Sequence, residues 1–127
     1  MQEQHSFEYA VIRVVPRVER EEFLNVGVIL YCRNHKFLQS RIHVNEKKLL
    51  SLAETIEMNE LQEHLHAFES ICNGTGSVSP IAKLDMPSRF RWLTAVRSTV
   101  VQTSKVHPGM CIDPMEKLNK LLNQYVS

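Results

Sequence analysis

The chain has 127 residues, 43% of them hydrophobic and 23% charged. That is the size and make-up of one globular domain with a core of its own, and it excludes disorder as the main state. Fifteen basic side chains stand against fourteen acidic ones for a net charge of +1, whereas dedicated binders of duplex nucleic acid carry a clear basic excess, so the composition argues against that class of function.

Cys32, Cys72 and Cys111 are odd in number and far apart. They suit neither a disulfide framework nor a zinc knuckle, and they point to buried free thiols in a reducing, cytoplasmic setting. No apolar stretch approaches the roughly 18 residues of a membrane span. The N-terminus lacks the basic segment and apolar run of a signal peptide.

In chain order, residues 1–5 read as a loose polar tail. Phe7 to Val15 is a nearly continuous run of aromatic and β-branched residues, the pattern of a strand buried on both faces and central in its sheet. Pro16 ends it. Residues 17–25 are charged and read as a loop or one helical turn. Val26 to Cys32 is a second buried strand, where Gly27 marks a bulge or a close backbone approach. After the polar turn Arg33 to Lys36, residues 37–44 alternate apolar and polar and make a third strand nearer an edge, paired with the second as a hairpin.

Helical signals follow. Asn45 is an N-cap for residues 45–55. Asn59 and Gln62 have capping-box spacing, and Leu61, Leu65, Phe68 and Cys72 share one stripe of the helix they open. Asn73-Gly74 is a left-handed stop, followed by a Gly/Ser-rich loop to Pro80. Pro87 to Leu93 forms a short helix, residues 96–103 a fourth strand, and Asp113-Pro114 opens a last helix with Met115, Leu118, Leu122 and Tyr125 inward. The class expected is α+β, a single domain over residues 1–127 built on a mainly antiparallel sheet of about four strands with helices packed on one face.

The chemical motifs are weak. His64 and His66 point to different sides of their helix and cannot share a metal, so no metal site and no cofactor are expected. The hydroxyls Ser98, Thr99, Thr103 and Ser104 lack the sharp elbow of a hydrolase nucleophile, and satisfying nearby backbone groups is the simpler account of them. Gly74-Thr75-Gly76 lacks the ending of a phosphate loop and follows a helix.

One segment stands apart. Lys83 to His107 carries five basic residues against Asp85 alone, and it contains the only tryptophan, Trp92. Arginine forks suit carboxylate or phosphate, and arginine with tryptophan is the composition of interface hot spots. The competing account is that Phe90, Trp92 and Leu93 pack inward while the arginines lie over them with their charged ends in water.

Two blocks carry a family resemblance over nearly the whole chain. The first runs from Phe7 to Arg17 and from Glu22 to Cys32. The second is Arg89-Phe90-Arg91-Trp92-Leu93-Thr94-Ala95, then Arg97-Ser98-Thr99, Gln102, Ser104, His107 and Gly109. Both resemble the bacterial DUF3037 family, a domain of unknown function. The resemblance implies a small standalone bacterial protein and, through neighbouring genes, a partner kinase similar to HipA. It assigns no catalytic residue. The binding residues expected are Arg89, Arg91, Trp92, Arg97, Ser98, Thr99 and His107, with Asn25 and Gly27 also part of the shared pattern.

The leading expectation is a non-enzymatic binding or regulatory module that contacts a partner protein through residues 89–107. The alternative is a small enzyme or ligand-binding protein for a phosphorylated or carboxylated metabolite, with Arg91 and Arg97 holding the anion and Ser98 and His107 beside it. Weak nucleic-acid binding ranks third. A homodimer that covers a sheet edge is also compatible with the sequence.

Overall fold

A computed structural model describes residues 3–16, 22–52, 56–75, 79–97 and 99–126. The apolar run near the N-terminus becomes β1 (His5–Val14), the central strand of an antiparallel sheet of five. β2 (Leu24–Cys32) lies on one side of it and is followed outward by β3 (Phe37–Ile42). On its other side β1 pairs along its length with two short strands, β4 (Val101–Thr103) and β5 (His107–Cys111). The helices are α1 (Glu46–Leu52), α2 (Met58–Asn73), α3 (Met86–Leu93) and α4 (Pro114–Tyr125). The α+β class and the antiparallel sheet are as the sequence indicates.

Side chains alternate across a strand, so β1 serves two cores. Ala10, Ile12 and Val14 pack with Ile29 and Leu38 beneath α1, α2 and α3. Phe7 packs on the other face with Val28, Leu30 and Cys32, closed by Leu118 and Leu121 of α4. The expectation of helices on one face is corrected here: α4 covers the opposite face. The physical reason is the apolar character of β1 and β2 on both sides, which leaves a second hydrophobic surface to bury.

The count of about four strands becomes five. Residues 96–103 supply only Val101–Thr103, and His107–Cys111 adds a strand that its Pro-Gly pair hides. Val15 N–H donates to Val100 O at 2.7 Å and Ser104 N–H to Val11 O at 2.8 Å, so odd-numbered residues of β1 bond toward this edge. By alternation Pro108, opposite Glu8, lacks only an N–H that would point outward, as suits an edge strand. Gly109 is required because a Cβ there would sit 2.5 Å from Cζ of Phe7, whose ring covers it.

The register is irregular on both sides of β1, at Ile12/Arg13 on one side and between Tyr9 and Ile12 on the other. On β2, Ile12 faces Gly27 but Arg13 faces Asn25, which leaves Val26 as the extra residue. Gly27 marks the spot, as its place in the strand suggests; a Cβ there would lie 2.4 Å from the backbone oxygen of Arg41. On the other side Tyr9 faces His107 while Ile12 faces Thr103, so β4 and β5 span this stretch with one more residue than β1. Ser104 fills that irregularity. Its buried Oγ accepts from Val11 N–H at 2.9 Å and donates to Lys105 O at 2.9 Å. The hydroxyl thus stands in for a ladder carbonyl.

The helix ends follow local chemistry. Asn45 Oδ1 accepts from Lys48 N–H at 3.1 Å, Asp85 caps α3 and Asp113 caps α4. α2 starts earlier than the Asn59 box suggests, because the Glu57 carboxylate caps it by accepting from Asn59 N–H. It stops at Gly74 in the left-handed region with φ 70°, as Asn73-Gly74 indicates. His5, read as tail, already belongs to β1. Residues 17–21, within the charged loop, and 53–55 lie outside the described residues. Among the described residues no helix is long and apolar enough to cross a membrane.

Gly27→Ala and Ser104→Ala test the two bulges separately. Forcing a methyl against the Arg41 carbonyl is expected to cost about 1–3 kcal/mol. Orphaning the buried Val11 N–H is expected to cost about the same. Each appears as a lower urea midpoint at unchanged slope.

Candidate binding surface

α3 presents the arginine–tryptophan segment because Asp85 and Pro87 fix its start and its other face is buried through Phe90 and Leu93. That packing turns Arg91 and Trp92 outward. Trp92 remains 37% exposed, and the Arg97 guanidinium carbon lies 3.7 Å from its ring centroid. Arg97 Nη2 also donates to the Trp92 carbonyl oxygen. Burial of the guanidinium lowers its pKa, yet arginine stays cationic at any physiological pH. The pair therefore holds a flat, charged platform in one geometry.

Beside this platform is a cleft of about 170 Å³ between α2, α3 and β4. Phe68 and Ile71 of α2 and Leu93 of α3 contribute apolar walls, and His64, Thr99 and Thr103 supply polar ones. The volume is on the scale of one large side chain.

The seven residues expected from sequence separate into groups. Trp92, Arg97 and Thr99 share the cleft. Arg89 turns away from it and braces the chain, since its Nη1 donates to Leu84 O at 2.7 Å and its guanidinium packs against Gly74, while Nε has no hydrogen-bond partner among the described residues. Arg91 borders a different groove, of about 400 Å³, with Tyr31, Arg33, Pro87 and Pro108. His107 is on β5, its ring 5.3 Å from that of Tyr9, on the α4 face of the sheet. Ser98 lies outside the described residues. Arg91, Arg97 and His107 thus do not converge on a common point.

His64 and Phe68 line the cleft, yet the sequence does not single them out as binding residues. The one signal is the α2 stripe, in which Phe68 reads as core; only the partial cover left by α3 and β4 gives it a second surface. Among the described residues no group of three or more His, Cys, Asp or Glu side chains is placed to hold a metal ion.

The α4 face carries a different set of groups. Tyr9 and Tyr125 hydroxyls are 3.0 Å apart. This hydrogen bond, then burial, pushes the Tyr9 phenol up to about 12. All three cysteines are buried. Burial pushes the Cys72 thiol up to about 11 and raises Cys111, which also has the Cys32 thiol beside it. Cys111, though next to a helix start, is thus not primed as a nucleophile.

Residues 9–126 match the model of the family described as protein of unknown function (DUF3037), and the chain belongs to that family. Searches among curated proteins and among solved structures find no significant match to either.

The phenol and the thiols each have a measurable consequence. Because Tyr9 holds its proton more tightly folded than unfolded, its contribution to stability is complete below pH 10.0 and is lost as pH rises through about 12. Tyr9→Phe is expected to flatten the fall in stability over that window, read by denaturant titration at several pH values. In native protein the three thiols should react with a disulfide reagent only at the rate of unfolding; fast labelling of any one would contradict their burial.

Proposed function

We propose that the protein is a binding module that docks a partner protein on the Trp92–Arg97 platform, with an apolar side chain of the partner entering the adjacent cleft. The observation that carries this reading is the stacked, partly exposed Trp92–Arg97 pair at the rim of a cleft sized for one side chain. Tryptophan and arginine beside a desolvated pocket are the usual anchors of an interface. Holding Arg97 on Trp92 before binding reduces the entropy that docking would otherwise cost.

The same geometry weighs against the two other readings. An anion site built from Arg91, Arg97 and His107 would need groups that point to three separate places. The local positive charge is divided as well, since Arg89 serves Leu84 and Arg97 serves Trp92. A phosphate backbone would therefore meet no continuous basic stripe. A second copy pairing edge to edge along β5 would meet Pro108, which has no N–H to offer.

The first partner to test is the HipA-like kinase that the family resemblance suggests, co-expressed from the same host. Trp92→Ala and Arg97→Ala are each expected to weaken such a complex by about thirtyfold or more, the scale of a hot-spot residue. Arg91→Ala, outside the cleft, should change it far less. If calorimetry shows both cleft variants binding like the wild type, the platform is not the interface.

A further inference from the structure

A second recess borders α3 and shares no lining residue with the cleft beside Trp92. It is the groove of about 400 Å³ that contains Arg91. Its floor is a row across three strands, because Glu8 of β1 is opposite both Tyr31 of β2 and Pro108 of β5. Alternation along β1 puts Glu8 on the same face as Ala10, the face on which α3 packs. One wall is α3 itself, where Pro87 and Arg91 are about one helical turn apart and so share a side. Arg33, in the turn just beyond β2, completes the rim.

The apolar part of this groove is fixed in place. The Tyr31 ring lies against the Phe90 ring of α3, with centroids 5.5 Å apart and planes 32° from parallel. Pro87 and Pro108 present rigid rings and no backbone N–H. The charged part is not committed elsewhere. Among the described residues neither Arg33, Arg91 nor Glu8 forms an ion pair. Asp85 feels the charge of Arg91, but its Oδ1 is engaged by Ser88 N–H at 3.0 Å. A solitary surface arginine is ordinary. Two arginines at the rim of one groove floored by an aromatic ring and prolines are a different case. They supply the few convergent polar groups and the apolar lining of a small-molecule site.

The lining selects the chemistry of its ligand. Each guanidinium presents a planar fork that a carboxylate matches. Two arginines against Glu8 leave one net positive charge, the complement of a monoanion. The Glu8 carboxylate repels a second negative charge on the ligand. Phosphate is partly a dianion at neutral pH and has no apolar body, so it suits neither feature. The Tyr31 face favours a flat ring, stacked or edge-on.

We propose that this groove binds a small aromatic monocarboxylate, its carboxylate held by Arg33 and Arg91 and its ring against Tyr31 and the two prolines. Glu8 sets the specificity by excluding dianions. Because the two recesses share no residue, the inference stands apart from the proposed docking surface.

The test is a ¹⁵N-resolved NMR titration of the full chain with benzoate, cinnamate and indole-3-acetate, beside benzamide, acetate and inorganic phosphate. Shifts centred on Glu8, Tyr31, Arg33 and Arg91 are expected with at least one of the three aromatic carboxylates. Benzamide, which lacks the charge, and acetate, which lacks the ring, should each bind weaker by about tenfold or more. Arg33→Gln and Arg91→Gln should each weaken binding by about tenfold or more. Both side chains are exposed, so thermal unfolding should stay unchanged. Glu8→Gln should tighten the binding of phosphate, and Trp92→Ala, in the other recess, should leave carboxylate binding as it is. Absence of shifts in the groove with all three aromatic carboxylates at millimolar concentration would overturn the inference. So would acetate, benzamide or phosphate binding as tightly as the best of them, or wild-type binding by both arginine variants.

Discussion

Burial of β1 on both faces is the constraint from which the rest of the structure follows. A ten-residue strand whose side chains alternate into two apolar layers must lie in the middle of its sheet and must have helices on both sides. Its backbone is then consumed on both edges, by β2 on one and by β4 and β5 on the other. Arg13, the one charged side chain between Ala10 and Val15, lies over the Phe23 ring and opposite Asn25, which the bulge in β2 brings to the same face.

The two faces then specialise. Above one, α2 and α3 meet β4 imperfectly, and the gap becomes a cleft next to a stacked Trp92–Arg97 pair. Above the other, α4 covers Phe7, Val28 and Leu30 and leaves a polar margin formed by Tyr9, Arg13, Asn25 and His107. Membership of the DUF3037 family covers both margins, since residues 9–126 match.

Much of the fold was legible because the signals were local. Gly27 announced its bulge, Asn73-Gly74 its left-handed stop, and Asp113-Pro114 the start of α4. β5 was hidden because Pro108 and Gly109 read as breakers. They are allowed there only because Pro108 turns its missing donor outward and Phe7 fills the space above Gly109. The candidate site was half legible. Trp92 with Arg97 stood out by composition, but whether Arg89, Arg91 and His107 joined them depended on which side of α3 or of the sheet each one left.

The sequence by itself determined the class, the central double-faced strand, most helix caps and the family, because each rests on hydrophobic period or on bonds spanning a few residues. Only the tertiary structure decided that α4 takes the far face, that Arg89 braces Gly74 instead of facing a ligand, and that Arg13 and Asn25 stand side by side. The first two depend on how elements distant in sequence pack together, and the last on strand register. A single extra residue in a neighbouring strand turns a side chain to the opposite face, and no spacing within one segment records what the strand beside it does.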